Sequence, residues 1–519
     1  MRGVTSMSGL LLAVVAASRL VEATESQHVA QRPFGGLPVE VVRAALAQVE
    51  ETGADLDLTE RTFGPDDGSS IELTLPVCAW RQSFNNMTLT WDVEYPDEYA
   101  IYMGMFIRLN EGDALRFNGS YPSARYMSFN TYSVDGDNFG ESLTSVNDFH
   151  LLPTMRNPFQ TLNIPVGTTK YSLGLTATGS EGGFDNEMRA FDNSTSGLTL
   201  LLMRLYDVAN LPGADDDKSY LWGYVDPPVV EFRRNDDLVF KKLKQCKQRQ
   251  QSILPYITND ATNTHVIIDY NYKDGFEIPN MGDLKCTLND FDNQYIQMTG
   301  AYNKSTMSTM VGRAEFKLPF VAHMESIPDN EAYEVRYASF TTYNLAPPRS
   351  VEKTLTDKMM IDHYTGLFGD DWDRTVVVWM TLEEEDIPEG WRNESDMILP
   401  WTRSHEDGGM VQSVSGMYRQ ILTQTQRIGL NATFTKGIAD VCPICSIEDS
   451  ECCNWSRGLQ MPDWCIADTR VRSIMQEYYP NGDWWIDGVQ QGPKSKHDVT
   501  SFKATPPVNP PVAPPVTNA

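Results

Sequence analysis

The sequence predicts a mainly β fold with flanking helices (α+β), arranged as a tandem of two related β-sandwich or jelly-roll-like units, each closed by a helix. Two observations favour this fold class. Short apolar runs alternate with Gly-, Asn- and Asp-rich turns, and one octapeptide motif recurs about 210 residues after its first copy. Apolar residues make up 41% of the 519, which is enough for full hydrophobic cores.

The charge of the chain excludes some partners. The sequence has 42 Lys+Arg against 70 Asp+Glu, so its formal charge is −28. Binding nucleic acid requires a basic face, because each phosphate carries a negative charge. The composition therefore argues against nucleic acid as a partner, and equally against an anionic membrane surface.

The first predicted element is a signal peptide at residues 1–23. Arg2 provides a positive start, residues 10–17 are apolar, and Val21-Glu22-Ala23 has the small residues that signal peptidase accepts. Eight apolar residues fall short of the ~20 needed to span a bilayer. We therefore expect cleavage after Ala23, no transmembrane segment in the mature chain, and a secreted, extracellular protein that could associate with a cell wall.

The remaining chain divides into five predicted segments. Residues 24–75 form an N-terminal helical segment, and residues 76–262 a first β-rich unit whose closing helix lies at 229–254. A second β-rich unit follows at 263–439, with its closing helix at 411–427. Residues 440–490 form a Cys/Trp-rich cap, and 491–519 a Pro-rich disordered tail. The strands predicted within the two units are 100–109, 123–132, 170–176, 198–206, 265–270, 334–343 and 375–382.

The repeated motif provides the candidate binding residues. Arg125-Tyr-Met-Ser-Phe-Asn-Thr-Tyr132 and Arg336-Tyr-Ala-Ser-Phe-Thr-Thr-Tyr343 are identical at six of eight positions. One interpretation is a polar cleft in which the arginines bind anionic or hydroxylated ligands and the tyrosines provide stacking surfaces. The favoured alternative is a structural strut between each Arg and a carboxylate. The binding candidates are Arg125, Tyr126, Ser128, Tyr132, Arg336, Tyr337, Ser339 and Tyr343.

The repeat also extends to neighbouring segments. Residues 201–206 are matched to 376–381, and each is followed by a Pro-containing acidic loop and a predicted helix. These flanks favour two related units over a chance match of eight residues.

The first motif belongs to a longer pattern. Gly119-Ser-Tyr-Pro-Ser-Ala-Arg-Tyr-Met-Ser-Phe-Asn-Thr-Tyr132 is followed by Asp148 and by Asn157-Pro-Phe159. This pattern resembles a largely uncharacterised family of exported β-rich proteins, recognised by a G-x-[YF]-P-x-A-R-Y-x-S-F-x-x-Y signature and a following N-P-F turn. In the second unit only the R-Y-x-S-F core is retained. The resemblance implies export and a β-rich fold, and it leaves the chemistry open.

An acidic loop after the first motif is a candidate calcium site. It begins like an EF-hand loop, but Phe139 and Val146 stand where oxygen ligands belong, so it is not an EF-hand. A looser calcium site and an ordinary acidic turn both remain open. No other cofactor is evident. The candidate ligands are Asp135, Asp137, Asn138, Glu141 and Asp148.

Two further residue sets fit an exported protein. Seven N-x-[ST] sequons predict N-glycosylation, and an even number of cysteines predicts structural disulfides, since Cys442-x-x-Cys445 lacks the second pair that a zinc site needs. The sequon asparagines are Asn86, Asn118, Asn193, Asn303, Asn393, Asn431 and Asn454. The disulfide candidates are Cys78, Cys246, Cys286, Cys442, Cys445, Cys452, Cys453 and Cys465.

These features favour a binding or structural function. The sequence contains no G-x-S-x-G, H-E-x-x-H or P-loop string, and its seven histidines are scattered. We expect a secreted or wall-associated acidic glycoprotein that binds carbohydrate or another extracellular polymer. The alternative is an extracellular glycan hydrolase that uses a pair of loop carboxylates.

Overall fold

The computed structural model describes most of the two predicted units. The described residues are 79–80, 82–84, 97–133, 142–161, 164, 167–177, 183–190, 199–208, 223–235, 239–245, 292–303, 306–344, 351–401, 411–440 and 473–491. The predicted signal peptide, the N-terminal helical segment, the strand at 265–270, all eight cysteines and the tail beyond residue 491 lie outside them. In the described part, no helix is both long and apolar enough to cross a membrane.

The first unit consists of two five-stranded sheets. Sheet 1 has the strand order β1-β2-β8-β4-β5, and sheet 2 has the order β10-β9-β3-β6-β7. The strands are β1 (Gln82–Phe84), β2 (Ala100–Ile107), β3 (Ala114–Ser120), β4 (Ala124–Ser133), β5 (Ser142–Asn147), β6 (Lys170–Ala177), β7 (Glu187–Ala190), β8 (Thr199–Val208), β9 (Val229–Arg233) and β10 (Lys241–Lys242).

The second unit also consists of two sheets. Sheet 3 has the order β11-β17-β13-β14, and sheet 4 the order β16-β15-β12-β18-β19. The strands are β11 (Asn293–Asn303), β12 (Met310–Lys317), β13 (Val335–Asn344), β14 (Val351–Thr356), β15 (Thr375–Thr381), β16 (Met397–Pro400), β17 (Val411–Thr423), β18 (Asn481–Ile486) and β19 (Val489–Gln491). The α-helices are α1 (Asp357–Phe368) and α2 (Gln424–Ile428).

The two units have the same strand topology. When β2 through β10 are matched in chain order with β11 through β19, the neighbours agree in both units, except that β2 also pairs with the additional strand β1. The agreement includes orientation, because β6 pairs in parallel with β7 just as β15 does with β16. The mainly β, two-unit fold class is therefore confirmed.

A hydrophobic core lies between the two sheets of each unit. Alternate residues of a strand point to one face, so Met127 and Phe129 of β4 face inward together. Phe129 contacts Phe117 of the opposite sheet, with ring centroids 6.5 Å apart. In the second unit, Phe340 and Phe316 make the corresponding contact at 5.7 Å. Each unit is thus a sandwich with its own core.

The two closing helices were predicted at the wrong positions. In the first unit, β9 and β10 occupy the described part of 229–254, and the lysines of β10 are exposed at a sheet edge, where lysine discourages further pairing. In the second, residues 411–423 are strand and only Gln424–Ile428 is helical. Strand β17 has buried residues on both faces, so its sequence lacks the alternation that identifies a half-exposed strand.

The matching of segments between the units also needs correction. Residues 201–206 lie in β8, whose counterpart by topology is β17, whereas residues 376–381 lie in β15, the counterpart of β6. Both β8 and β15 are apolar and buried, and this common property produced the wrong match.

The end of the predicted cap is part of the second sandwich. Strands β18 and β19 complete sheet 4, and β18 pairs directly with the central strand β12. Trp484 of β18 lies in the core, 1% exposed, and packs so closely against Gly300 that a Cβ there would come within 3.0 Å of the indole ring. Residues 473–491 therefore belong to the fold of the unit rather than to a separate cap.

The position of Trp484 gives the first prediction. We expect Trp484→Ala to lower the free energy of unfolding by about 3–5 kcal/mol, because it leaves a large cavity in the core. Val489→Ala is the control: Val489 lies a few residues further on and is 62% exposed, so its loss should change stability by no more than ~0.5 kcal/mol. Urea unfolding measures both variants, and equal midpoints would contradict the core position of β18.

Candidate functional site

The two copies of the repeated motif lie against each other where the units meet. Arg125 of β4 donates to both carboxylate oxygens of Asp357, at 2.7 and 2.6 Å, and to the backbone carbonyl of Arg336 at 2.8 Å. It also forms an ion pair with Asp207 at 3.0 Å. The guanidinium thus binds carboxylates of both units and the backbone of the facing strand.

Arg336 of β13 makes the reciprocal contacts. It donates to Asp148 at 2.9 Å and to the backbone carbonyl of Arg125 at 3.1 Å. Asp148 also accepts the backbone N–H of Met127, and Asp357 accepts that of Ala338. Met127 and Ala338 each lie two residues after the arginine of their motif. We call Arg125, Asp148, Arg336 and Asp357 the clasp.

The charges of the clasp are almost fully removed from water. Arg125 is 4% exposed, and the other three residues are 0% exposed. Burial lowers the pKa of the Arg125 guanidinium, but Asp357 and Asp207 outweigh burial and raise that pKa overall. Burial raises the pKa of the Asp148 carboxyl, and Arg336 offsets part of this increase. Because each buried charge has an opposite charge within 3 Å, removing one partner would leave the other uncompensated.

The tyrosine that follows each clasp arginine in the sequence also contacts the other unit. The Tyr126 hydroxyl donates to Asp292, just before β11, at 2.7 Å. The Tyr337 hydroxyl donates to Asp97, just before β2, at 3.0 Å. Each motif tyrosine therefore binds a carboxylate that precedes the first long strand of the other unit. Ser339 also donates to Asp97, at 2.8 Å.

The last tyrosine of each motif packs beside a buried arginine of the neighbouring strand. Arg204 lies 5.3 Å from the Tyr132 ring centroid. Arg419 lies 6.0 Å from the Tyr343 ring and pairs with Asp97 at 3.4 Å. Ser128 donates to Asn130 within its own strand.

Five of the eight predicted binding residues thus contact the other unit directly: Arg125, Tyr126, Arg336, Tyr337 and Ser339. All eight are buried, and their arginines donate to carboxylates, to backbone carbonyl groups and, from Arg336, to the Tyr333 hydroxyl of the protein. This arrangement matches the strut alternative rather than the open cleft expected of a binding site. Four carboxylates of this contact, Asp97, Asp207, Asp292 and Asp357, were not predicted from the sequence, although an Asp follows the first motif by 16 residues and the second by 14.

Only one of the five calcium candidates, Asp148, lies among the described residues. Asp135, Asp137, Asn138 and Glu141 lie outside the described residues. Asp148 lies in the clasp, where one of its oxygens binds Arg336 and the other the Met127 N–H. Within the described ranges, no three His, Cys, Asp or Glu side chains are grouped as metal ligands would be.

The described sequon asparagines differ in exposure. Asn393 and Asn431 are exposed. Asn118 lies within β3, half-buried, and its amide donates to Glu231 at 3.0 Å, a bond that an attached glycan would disturb. Asn303 ends β11, and the other three sequons lie outside the described residues.

A stack of aromatic rings lies on the surface of the second unit, where α1 leads into β15. Tyr364 stacks on Trp372 with centroids 4.9 Å apart and planes 10° apart, and on Phe368 at 6.2 Å and 23°. The Arg374 guanidinium lies over Trp372 at 5.7 Å and over Phe320 at 4.4 Å. We call Phe320, Tyr364, Phe368, Trp372 and Arg374 the aromatic platform.

The platform is held in place by hydrogen bonds and is open to solvent mainly at its ends, since Tyr364 at its centre is 4% exposed. Arg374 has a left-handed backbone (φ 66°) and donates to the carbonyl groups of Leu318 and Pro319. The Tyr364 hydroxyl accepts the Val377 N–H at 2.9 Å, and burial raises its pKa to about 12. At the two ends of the platform, Phe320 is 56% and Phe368 58% exposed. Large apolar side chains grouped on a surface are typical of an interaction site.

Acidic side chains border this surface. Asp370, Asp371 and Asp373 are exposed in the turn between α1 and β15, which contains Trp372. Asp373 accepts the Thr375 N–H at 2.9 Å, which orders the turn. The platform therefore combines flat rings with hydrogen-bond acceptors at its edge.

The clasp gives the second prediction. Arg125→Met should lower the free energy of unfolding by about 3–5 kcal/mol, because it leaves the buried Asp357 without its charged partner. Adding Asp357→Asn should restore part of this loss. The control is Lys358→Met, whose ion pair with Asp362 is mostly exposed and should contribute at most ~0.5 kcal/mol. Urea unfolding measures all three variants, and wild-type stability of Arg125→Met would contradict the structural role.

Comparisons with known proteins add two distant structural likenesses. No protein-family model matches the sequence, and no curated protein matches it. An uncharacterised protein of Burkholderia cenocepacia is similar over 75% of this chain and 84% of its own, with 10% identity and a TM-score of 0.39. A Vibrio parahaemolyticus protein is similar over 65% of this chain and 88% of its own, with 10% identity and a TM-score of 0.29. At these scores neither likeness carries a functional argument.

Proposed function

We propose that the protein is a secreted or wall-associated binding protein for carbohydrate or another extracellular polymer, and that the aromatic platform is its binding surface. The observation that supports this most directly is the exposure of Phe320 and Phe368 at the two ends of one ordered ring stack. Sugar rings present flat C–H faces that pack on aromatic rings, while their hydroxyl groups need hydrogen-bond partners. Asp370 and Asp371 provide acceptors beside the rings.

The rigidity of the platform favours binding. A ring that is already held in place loses little conformational entropy when a ligand packs on it. Arg374 and Tyr364 hold the stack through hydrogen bonds to backbone groups on both sides of it. The affinity of such a surface would come from several weak contacts in a row, as expected for a ligand with repeating sugar units.

The same position in the first unit has a different surface. The connection from β5 to β6 corresponds to the one that contains α1, and among its described residues the exposed large apolar ones are the aliphatic Leu152 and Met155. A sugar face stacks less well on flexible aliphatic chains. We therefore assign carbohydrate binding to the second unit and a supporting role to the first.

A direct test uses the full secreted chain on a glycan array and in pull-down assays with insoluble cellulose, chitin and β-1,3-glucan. Reducing-sugar release is measured in the same samples. Binding without sugar release supports the proposal. Sugar release would instead favour a glycan hydrolase, and the absence of binding to every polymer would overturn carbohydrate as the ligand class.

Single substitutions test the platform itself. Phe368→Ala and Phe320→Ala should each weaken polymer binding about 2- to 10-fold, the loss of one stacking contact. Their stability should change by no more than ~0.5 kcal/mol, because both rings are mostly exposed. Leu152→Ala is the matched control, since Leu152 is equally exposed at 56% in the corresponding connection of the first unit. Equal binding by all three variants would place the ligand elsewhere.

A further inference from the structure

Another exposed ring, Trp391, is not part of the platform and lies on the outer face of sheet 4. Its ring is 53% exposed and contacts Trp485 with centroids 5.5 Å apart and planes 63° apart. Trp485 in turn contacts Trp379 at 5.3 Å, within a small cluster that also contains Val311 and Ile387. In such an edge-to-face contact Trp485 covers at most one flat side of Trp391.

Trp391 precedes the acceptor of a sequon by two residues. The sequon is Asn393-Glu394-Ser395, and Asn393 is exposed. Residues two positions apart have Cα atoms no more than about 7 Å from each other. The side chain between them, Arg392, forms an ion pair with Glu384. A sugar on the Asn393 amide is therefore attached within reach of the Trp391 ring.

The turn that holds these residues is tightly ordered. The Trp391 N–H donates to the Pro388 carbonyl, and Gly390 between them has a φ of 79°, which a type II turn requires. The Asp396 carboxylate accepts both the Asn393 N–H at 3.1 Å and the Trp379 indole N–H at 2.8 Å. Asn393 is thereby fixed relative to the tryptophan cluster before any glycan is attached.

We propose that Asn393 carries an N-glycan whose first sugar, N-acetylglucosamine, packs on the exposed face of Trp391 and stabilises the second unit. The glycan would cover the one mostly exposed ring of the tryptophan cluster. Both proposals assume the predicted export of the chain, but this one does not depend on carbohydrate binding by the platform, so a platform that binds no polymer would leave it unaffected.

The chain contains a matched control site. Asn431 is also exposed in a described sequon, Asn431-Ala-Thr433, but the residue two positions before it is Gly429, which has no ring. A glycan at Asn431 therefore has no stacking surface in that position. Comparing the two sites separates a specific contact from the general effect of attaching a glycan.

The experiment expresses the full chain in a eukaryotic secretory host. Glycopeptide mass spectrometry measures occupancy, and calorimetry measures Tm for the wild type, Asn393→Gln, Asn431→Gln and Trp391→Leu, and for Trp391→Leu combined with Asn393→Gln. Trp391→Leu keeps an apolar side chain over Trp485 but removes the flat ring. A further sample is trimmed enzymatically to a single N-acetylglucosamine at each site.

We expect Asn393 to be occupied and Asn393→Gln to lower Tm by about 2–4 °C. The same substitution should leave Tm unchanged in the Trp391→Leu background, Asn431→Gln should leave it unchanged, and the trimmed protein should retain the wild-type Tm. An unoccupied Asn393 would overturn the proposal. So would an equal loss of Tm with and without the Trp391 ring, because the glycan would then act without stacking.

Discussion

Two buried ion pairs, Arg125–Asp357 and Arg336–Asp148, connect the units, and the rest of the structure is arranged around them. Each arginine also donates to the backbone carbonyl of the other, so the strands β4 and β13 are held at a fixed separation. Moving two charges out of water is costly unless both are paired and hydrogen-bonded. That requirement explains why each carboxylate also accepts a backbone N–H from the motif strand of its own unit.

The clasp is also linked to the proposed binding surface through one helix. Asp357 is the first residue of α1, where the helix dipole favours a negative charge, and Phe368 is the last. Thr356 caps the helix start by accepting the Met359 N–H. Because a buried ion pair fixes the first residue of this rigid helix, the position of its last residue is fixed as well. The orientation of Phe368 thus depends on the contact between the units.

The two units show how one topology supports different surfaces. Their strand orders and parallel pairs agree, and their arginines make reciprocal contacts. The differences lie in the connections, where insertions do not disturb the sheets. The second unit has a helix and a ring stack where the first has a loop with exposed Leu152 and Met155. The proposed binding surface accordingly lies in a connection rather than in the shared strands.

Part of this architecture could be predicted from the sequence. Strands at 100–109, 123–132, 170–176, 198–206, 334–343 and 375–382 were each confirmed to within two residues, because short apolar runs between turns identify strands well. Strand β17 was not recognised, since Arg419 and Gln420 are buried on a sheet and alternation is lost. The clasp joins residues up to 232 positions apart, and sequence periodicity contains no information about such pairs. The aromatic platform depends on the path of α1 and was missed for the same reason.

The separation within the clasp has a consequence for how the chain is made. Asp357 follows Arg125 by 232 residues, which a ribosome translates in roughly 10–50 s at ~5–20 residues per second. During this interval the first unit can fold while Arg125 and Asp148 still lack their partners from the second. They must stay hydrated until the second unit docks, so the nascent first unit presents a wet, charged surface. Such a hydrated, charged surface disfavours premature association with other nascent chains. It loses its water only when the second unit of the same chain docks.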